Sequence, residues 1–141
     1  MPKVTMSTAI AMKPDMLWQA MGKFGTIADW HPAVEKSVAD GEGKGSMRTL
    51  SLVGGGTITE RLEEVSPSER VYRYSIVDSP LPVAGYRAEI RVNDNSDGTS
   101  TVEWSSDFEA RGAPEADAIK AIQGVYQAGL DNLAKLYGMK G

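Results

Sequence analysis

Apolar and polar residues alternate at the start of the chain. A period of two is typical of a half-buried β-strand, because successive side chains of a strand point to opposite faces. We expect this first strand to end at Lys13-Pro14, since a residue before proline avoids the helical conformation. The alternating positions are Val4, Met6, Thr8, Ile10 and Met12.

The spacing then changes to the three- and four-residue period of a helix. Pro14 is suited to the first turn of a short helix and Gly22 to its end. A second, weaker helix is predicted through Ile27 and Ala28, and Pro32 ends this region. The apolar positions of the first helix are Leu17, Trp18 and Met21.

Residues 33–110 alternate between strand-like segments and turn signals, which predicts six further strands. Such short connections join antiparallel neighbours, because a parallel pair needs a crossover of about a dozen residues or more. We therefore expect an antiparallel sheet throughout. The turn signals lie at residues 41–45, 54–56, 67–68, 80–85 and 93–98.

The last segment, residues 114–137, has apolar residues every three or four positions and predicts one long amphipathic helix. Gly138 is its expected C-terminal cap. Gly124 and Gly129 each cost about 1 kcal/mol relative to alanine inside a helix. We expect these glycines to mark close backbone contact or free space beside the helix. The apolar stripe comprises Ile119, Ile122, Val125, Tyr126, Leu130, Leu133 and Leu136 or Tyr137.

Seven strands and one amphipathic helix pack most simply as a sheet curved around that helix. Strand alternation then places polar side chains on the inner face among apolar ones. Such a set is too polar for a solid core unless its members bond to one another or line a cavity. The polar and aromatic inward positions are Arg48, Glu60, Tyr72, Tyr74, Tyr86, Trp104 and Ser106.

Arg48 and Glu60 are predicted to pair across the hairpin at residues 54–56. One interpretation is a structural ion pair that contributes little net stability. The other is a pair that orients a ligand, because binding pockets are mostly apolar with a few placed polar groups. The sequence gives the two interpretations about equal weight.

Composition narrows the classes of function. The chain has 141 residues, a net charge of −4 and no cysteine. This length suits one domain spanning residues 1–141, and the charge gives no electrostatic basis for binding nucleic acid. The missing cysteines exclude disulfides and thiolate metal sites. The N-terminal residues lack the apolar stretch of a signal peptide or a membrane span, so we expect a cytoplasmic protein.

The single histidine, His31, lies between Trp30 and Pro32. No inward carboxylate cluster accompanies it, so we expect no metal, and no phosphate-binding loop is complete, so we expect no cofactor. A hydrolase triad is unsupported, because no nucleophile motif presents a serine to this histidine. We expect Trp30 and His31 to shape the mouth of a pocket. Proton transfer by His31 to a bound ligand is the alternative.

Five segments in order resemble a known family: WHPAVEKS, GKGSMRTLSL, GGGTITERLEEVSP, YRYSIVDSPLPVAGYRAEIRV and STVEWSSDFEA. Together with the order of elements, they are similar to bacterial polyketide cyclase and dehydrase proteins of the START-related, pollen-allergen-like superfamily known as SRPBCC. The resemblance spans essentially the whole chain. It implies an α+β helix-grip fold: a seven-stranded antiparallel sheet curved around a long C-terminal helix, with two short helices between strands 1 and 2.

The same resemblance implies a cavity between sheet and helix that holds a small hydrophobic ligand. It implies less about chemistry, because relatives that share a fold differ in function. The ligand-binding positions that we expect are Trp30, His31, Arg48, Glu60, Tyr72, Tyr74, Tyr86, Trp104, Ile122 and Tyr126.

Binding of a small hydrophobic or aromatic molecule, lipid- or polyketide-like, is the leading hypothesis for function. The first alternative is a cofactor-independent cyclase or dehydratase acting on a bound carbonyl compound. Arg48 would then stabilise oxyanion charge, and Glu60, His31 or a tyrosine would move protons. The second alternative is an accessory or stress-response protein that meets a protein partner through edge strands or the loop at residues 79–85. We expect a monomer or weak homodimer.

Overall fold

The computed structural model describes residues 2–137. It contains seven strands, two α-helices and one 3₁₀ helix. The order is β1 (Lys3–Ile10), α1 (Pro14–Met21), the 3₁₀ helix (Phe24–Asp29), β2 (Val34–Ala39), β3 (Met47–Leu52), β4 (Thr57–Ser66), β5 (Val71–Asp78), β6 (Val83–Asp94), β7 (Ser100–Ala110) and α2 (Glu115–Tyr137).

The strands form one antiparallel sheet in the order β1-β7-β6-β5-β4-β3-β2. The first two strands of the chain therefore lie at opposite edges, and α1 and the 3₁₀ helix carry the chain between those edges. The long helix α2 packs against β1 and β7. This arrangement confirms the predicted helix-grip fold.

The first strand is shorter than its alternating pattern predicts. β1 ends at Ile10, and the backbone N–H of Met12 donates to the Ile10 carbonyl at 2.8 Å. This turn leaves Lys13 in an extended conformation, with φ −62° and ψ 143°, directly before the first helical residue, Pro14. The chain thus leaves the sheet at Ile10, before it reaches Lys13-Pro14, where the alternating pattern predicts the end of the strand.

Strand register places the inward set on one face. Arg48 lies opposite Glu60, Tyr74 lies opposite Ala88, and Ile90 lies opposite Trp104. The opposite face carries exposed or half-buried charged side chains. On that face Arg73 pairs with Glu64 and, at 2.8 Å, with Glu89, and Arg91 pairs with Glu89 at 3.1 Å. The sheet therefore has one face for the core and one for solvent.

Helix α2 buries its predicted stripe through Leu133 and continues it at Tyr137. Leu136 is 49 % exposed, whereas Tyr137 is half-buried and packs against the core. The predicted cap at Gly138 lies outside the described residues. Within residues 2–137 no helix is long and apolar enough to cross a membrane. The buried residues of α2 are Ala118, Ile122, Tyr126, Gly129, Leu130 and Leu133.

Candidate functional site

A cavity of about 200 Å³ lies between the inner face of the sheet and α2. Ala33, Val53 and Gly55 are exposed residues of its wall, which places the mouth at the β3–β4 loop and the segment before β2. The wall contains one carboxylate, Glu60, and no lysine or arginine. Its residues are Ile27, His31, Ala33, Val34, Leu50, Leu52, Val53, Gly55, Ile58, Glu60, Tyr74, Ile76, Leu81, Tyr86, Trp104, Ile122 and Val125.

A larger depression of about 520 Å³ lies on the outer face of the sheet. It is open to solvent, and its charged side chains include the paired Arg73 and Glu89. An open, charged surface does not enclose a ligand, whereas small-molecule sites are concave and mostly apolar. The candidate site is therefore the inner cavity.

Arg48 and Glu60 form a buried ion pair on neighbouring strands. The Arg48 Nε–H donates to Glu60 Oε1 at 2.7 Å, and Arg48 Nη1 donates to the Phe24 carbonyl at 2.7 Å. The guanidinium carbon lies 4.1 Å from the centre of the Phe24 ring and 4.9 Å from that of Tyr74. Arg48 is thus enclosed by protein and does not line the cavity, whereas Glu60 does. Arg48 holds and orients the carboxylate that faces the cavity.

Burial controls the charge of this pair. Loss of water raises the pKa of the Glu60 carboxyl above its usual range, and the adjacent Arg48 offsets only part of that effect. Burial by itself would lower the pKa of Arg48, but Glu60 and the nearby tyrosines raise it above its ordinary value. The guanidinium therefore stays protonated, and Glu60 is a carboxylate that accepts a proton more readily than one in water.

Three tyrosine hydroxyls form a chain beside the cavity. The indole N–H of Trp104 donates to Tyr74 Oη at 3.0 Å, and Tyr74 Oη lies 3.3 Å from Tyr86 Oη. Tyr86 Oη is also hydrogen-bonded to Tyr126 Oη. Burial raises the pKa of Tyr74 and Tyr86 well above the usual tyrosine value, so both phenols stay neutral.

His31 joins the segment before β2 to the centre of α2. Its Nε2–H donates to the Val125 carbonyl at 2.8 Å, while its Nδ1 accepts from the backbone N–H of Ala33 at 3.2 Å. Because a backbone N–H can only donate, Nδ1 carries no proton and the ring is neutral. Burial lowers the pKa of His31, and the bond to Val125 offsets part of that effect. Both ring nitrogens are occupied, so the geometry is that of a structural clamp.

Close approach of His31 to α2 depends on a glycine. A Cβ on Gly129 would lie 2.7 Å from His31 Cδ2, 2.9 Å from Trp104 Cζ3 and 3.0 Å from Trp30 Cζ3. A Cβ on Gly124 would meet no atom within 4 Å. Each of the two expectations for the helical glycines therefore applies to one of them: Gly129 allows close contact, and Gly124 has free space beside it.

The structure places six of the ten expected ligand-binding residues in the cavity wall. Arg48, Tyr72, Trp30 and Tyr126 are buried outside the wall. Trp30 is only 1 % exposed and packs against Trp104 at 5.5 Å between ring centres, so the expected position at the mouth is wrong for it. His31 is also buried, at 3 % exposure. The six wall residues are His31, Glu60, Tyr74, Tyr86, Trp104 and Ile122.

Apart from Ile122, the aliphatic residues of the wall are not among the expected ligand contacts. Leu50, Leu52, Ile58 and Ile76 share the inward strand phase, so alternation contained the signal for them. Ala33, Val53, Gly55 and Leu81 come from the β3–β4 loop, the β5–β6 loop and the segment before β2, where no periodicity applies. Among residues 2–137 no three His, Asp or Glu side chains gather to hold a metal ion.

Solved structures of several proteins match this fold. XoxI from Bacillus cereus matches with a TM-score of 0.92 and 36 % identity, over 97 % of this chain and 96 % of its own. A putative uncharacterized protein from Bacillus thuringiensis matches with a TM-score of 0.89 and 34 % identity, over 96 % of this chain and 98 % of its own.

A more distant match shows the fold alone. The Zhui aromatase/cyclase from a Streptomyces species has a TM-score of 0.78 and 20 % identity, over 96 % of this chain and 92 % of its own. No curated protein matches the chain. The family model described as polyketide cyclase / dehydrase and lipid transport matches residues 1–138. This match covers nearly the whole sequence, and we conclude that the chain belongs to the polyketide cyclase/dehydrase and lipid transport family.

Proposed function

We propose that the protein binds a small hydrophobic or aromatic molecule in the cavity between the sheet and α2. The observation that carries this proposal is the cavity itself, which has a mostly apolar wall with a few inward polar groups. That combination is typical of small-molecule sites. Family membership supports the same function, since the family description includes lipid transport.

The size of the cavity narrows the class of ligand. Drug-sized ligands occupy pockets of about 300–1,000 Å³, and an engineered apolar cavity of about 150 Å³ binds benzene. A volume of about 200 Å³ therefore suits one aromatic ring or a short chain. A multi-ring polyketide or a complete lipid would require α2 and the mouth loops to move apart.

Ligand-induced stabilisation tests this proposal. The panel is a set of one-ring compounds, and the measurement is the melting temperature of the protein with each compound. A ligand at one hundred times its Kd adds about 2.7 kcal/mol to the free energy of unfolding. We expect at least one compound of the panel to raise the melting temperature.

Two variants locate the binding. Ile58→Phe fills the cavity from its wall, whereas Val38→Phe adds the same ring size on β2, where the side chain is 57 % exposed. We expect Ile58→Phe to abolish the ligand-dependent shift and Val38→Phe to keep it. A panel without any shift, or a full shift in a folded Ile58→Phe protein, would contradict the proposal.

Glu60 supports a second candidate function, proton transfer on a bound carbonyl compound. Its carboxylate faces the cavity, and burial raises its pKa, as suits a general base. In this function Arg48 orients the base instead of contacting the substrate. The test is exchange of hydrogen for deuterium beside the carbonyl of a one-ring ketone, followed by NMR. We expect exchange to be lost in Glu60→Gln, and equal exchange in the two proteins would remove Glu60 from the chemistry.

A further inference from the structure

One oxygen of Glu60 is uncommitted. Oε1 accepts from Arg48, and among residues 2–137 no group donates to Oε2. Glu60 is only 5 % exposed and belongs to the cavity wall. Oε2 is not one of the fully enclosed atoms that lack a partner, so it is reached from the cavity, and a ligand that donates a hydrogen bond to it takes the place of water there.

The tyrosine chain can present one hydrogen to the cavity. Three hydroxyls supply three hydrogens, and the contacts of Tyr74 with Tyr86 and of Tyr86 with Tyr126 use two of them. The third is spare when Ser106, which lies beside the Tyr126 hydroxyl, donates its own hydrogen to Tyr126. The Trp104 N–H already donates to Tyr74 and consumes none of the three. Because each hydroxyl can rotate, the spare hydrogen can be presented by Tyr74 or Tyr86, which both line the cavity.

The acceptor and the donor are neighbours on the inner face. Glu60 pairs with Ile76 and Leu62 pairs with Tyr74, so Glu60 and Tyr74 are diagonal neighbours on β4 and β5. Diagonal side chains lie about 7–8 Å apart at their backbones, within reach of one bridging group. A single ligand hydroxyl can therefore donate to Glu60 and accept from a tyrosine.

The charge of the wall excludes ions. Arg48 already balances the Glu60 charge, so the pair is neutral as a unit. An anionic ligand would meet Glu60 and no cation in the wall, and a cationic ligand would bring an unbalanced charge into a buried site.

We propose that the cavity selects a neutral one-ring alcohol or phenol, whose hydroxyl bridges Glu60 Oε2 and the Tyr74–Tyr86 pair. This inference rests on the proposed binding function and names its ligand class. It requires no movement of the fold, because every group that contacts the hydroxyl already lies in the wall.

Protein NMR titrations with phenol, toluene and benzoate test the ligand class. The three share one ring and differ in the polar group. We expect phenol to bind about tenfold or more tightly than toluene, because a hydrogen bond to a charged group is worth about that factor or more. We expect benzoate to bind more weakly than either.

A double variant tests the donors. Tyr74→Phe/Tyr86→Phe removes both wall hydroxyls, whereas the control Tyr137→Phe removes a hydroxyl outside the wall. We expect the first protein to lose about two- to tenfold of the phenol preference while its toluene affinity stays unchanged. The second protein should keep the preference of the native chain.

The outcomes separate this inference from the proposed function. Toluene binding as tightly as phenol, or benzoate binding best, would overturn the ligand class and leave a binding cavity in place. An undiminished phenol preference in the folded Tyr74→Phe/Tyr86→Phe protein would overturn the role of the tyrosines. Failure of one-ring compounds of every polarity to bind would overturn the proposed function itself.

Discussion

Two glycines of one helix should respond to alanine in opposite ways. Gly124 and Gly129 lie in the middle of α2, five residues apart. Gly124 is exposed with open space beside it, whereas Gly129 is buried under the rings of Trp30, His31 and Trp104. Replacing each by alanine adds the same methyl group to the same helix, so packing alone distinguishes the two variants.

The magnitudes follow from the contacts. Either substitution gains about 1 kcal/mol, because alanine favours the helix over glycine by that amount. At position 129 the methyl would overlap atoms at 2.7–3.0 Å, and overpacking of this kind costs about 1–3 kcal/mol. Displacement of His31 would also weaken its 2.8 Å bond to the Val125 carbonyl, which contributes about 0.5–1.5 kcal/mol. We expect Gly124→Ala to be stabilised by about 1 kcal/mol and Gly129→Ala to be destabilised by about 0.5–3.5 kcal/mol.

Urea unfolding at neutral pH measures the difference directly. For a chain of this length 1 kcal/mol corresponds to roughly 3 °C in melting temperature, so a thermal scan provides a second readout. Adding His31→Ala to Gly129→Ala removes the nearest obstructing ring, and the double variant should recover part of the loss. Equal stabilisation by Gly124→Ala and Gly129→Ala would refute the claim that Gly129 exists for close contact.

Three further predictions concern buried polar groups. Arg48→Met leaves Glu60 unpaired in the interior and should lower the free energy of unfolding by about 3–5 kcal/mol in urea titrations, and a loss below 1 kcal/mol would contradict a buried pair. Because burial lowers the pKa of His31, the unfolded chain binds the proton first as pH falls. The difference in free energy of unfolding between the native protein and His31→Asn should therefore be largest above pH 6.5 and should decrease below it in unfolding titrations. A difference that does not change with pH would count against a neutral clamp. Ser100→Ala removes a 2.6 Å hydrogen bond to the Met12 carbonyl and should cost about 1–3 kcal/mol by thermal unfolding, because the acceptor is left without its donor; no change would mean that water replaces it.

Much of the fold could be predicted from local patterns. Alternation along the strands separated the inner face from the charged outer face, and the five turn signals lie at or near the five observed connections between β2 and β7. The Arg48–Glu60 pair could also be predicted, because hairpin register follows from the turn that joins two strands. The end of β1 was predicted less well, since a turn at Ile10 depends on backbone contacts that side-chain periodicity does not encode.

The candidate site was only partly predictable. Strand phase states which side chains point inward, but an inward side chain can be solid core or cavity wall. Aromatic neighbours cover three of the inward side chains and make them part of the solid core: Trp30, Tyr72 and Tyr126. Trp104, for example, stacks on Tyr126 with 4.2 Å between the ring centres. Val53 and Leu81 joined the wall from loops, where sequence offers no rule for direction.

The sequence by itself determined the elements, the inward set and the buried charge pair, because these depend on periodicity and on neighbours joined by short turns. The tertiary structure alone decided which polar groups have partners and which face the cavity. It placed Glu60 in the cavity wall, enclosed Arg48 and occupied both nitrogens of His31. Gly124 and Gly129 carry the same local signal, yet only one is under an imidazole ring. The physical reason is that these contacts join residues far apart in the chain, such as His31 and Val125. A local sequence pattern does not encode which distant residues come into contact.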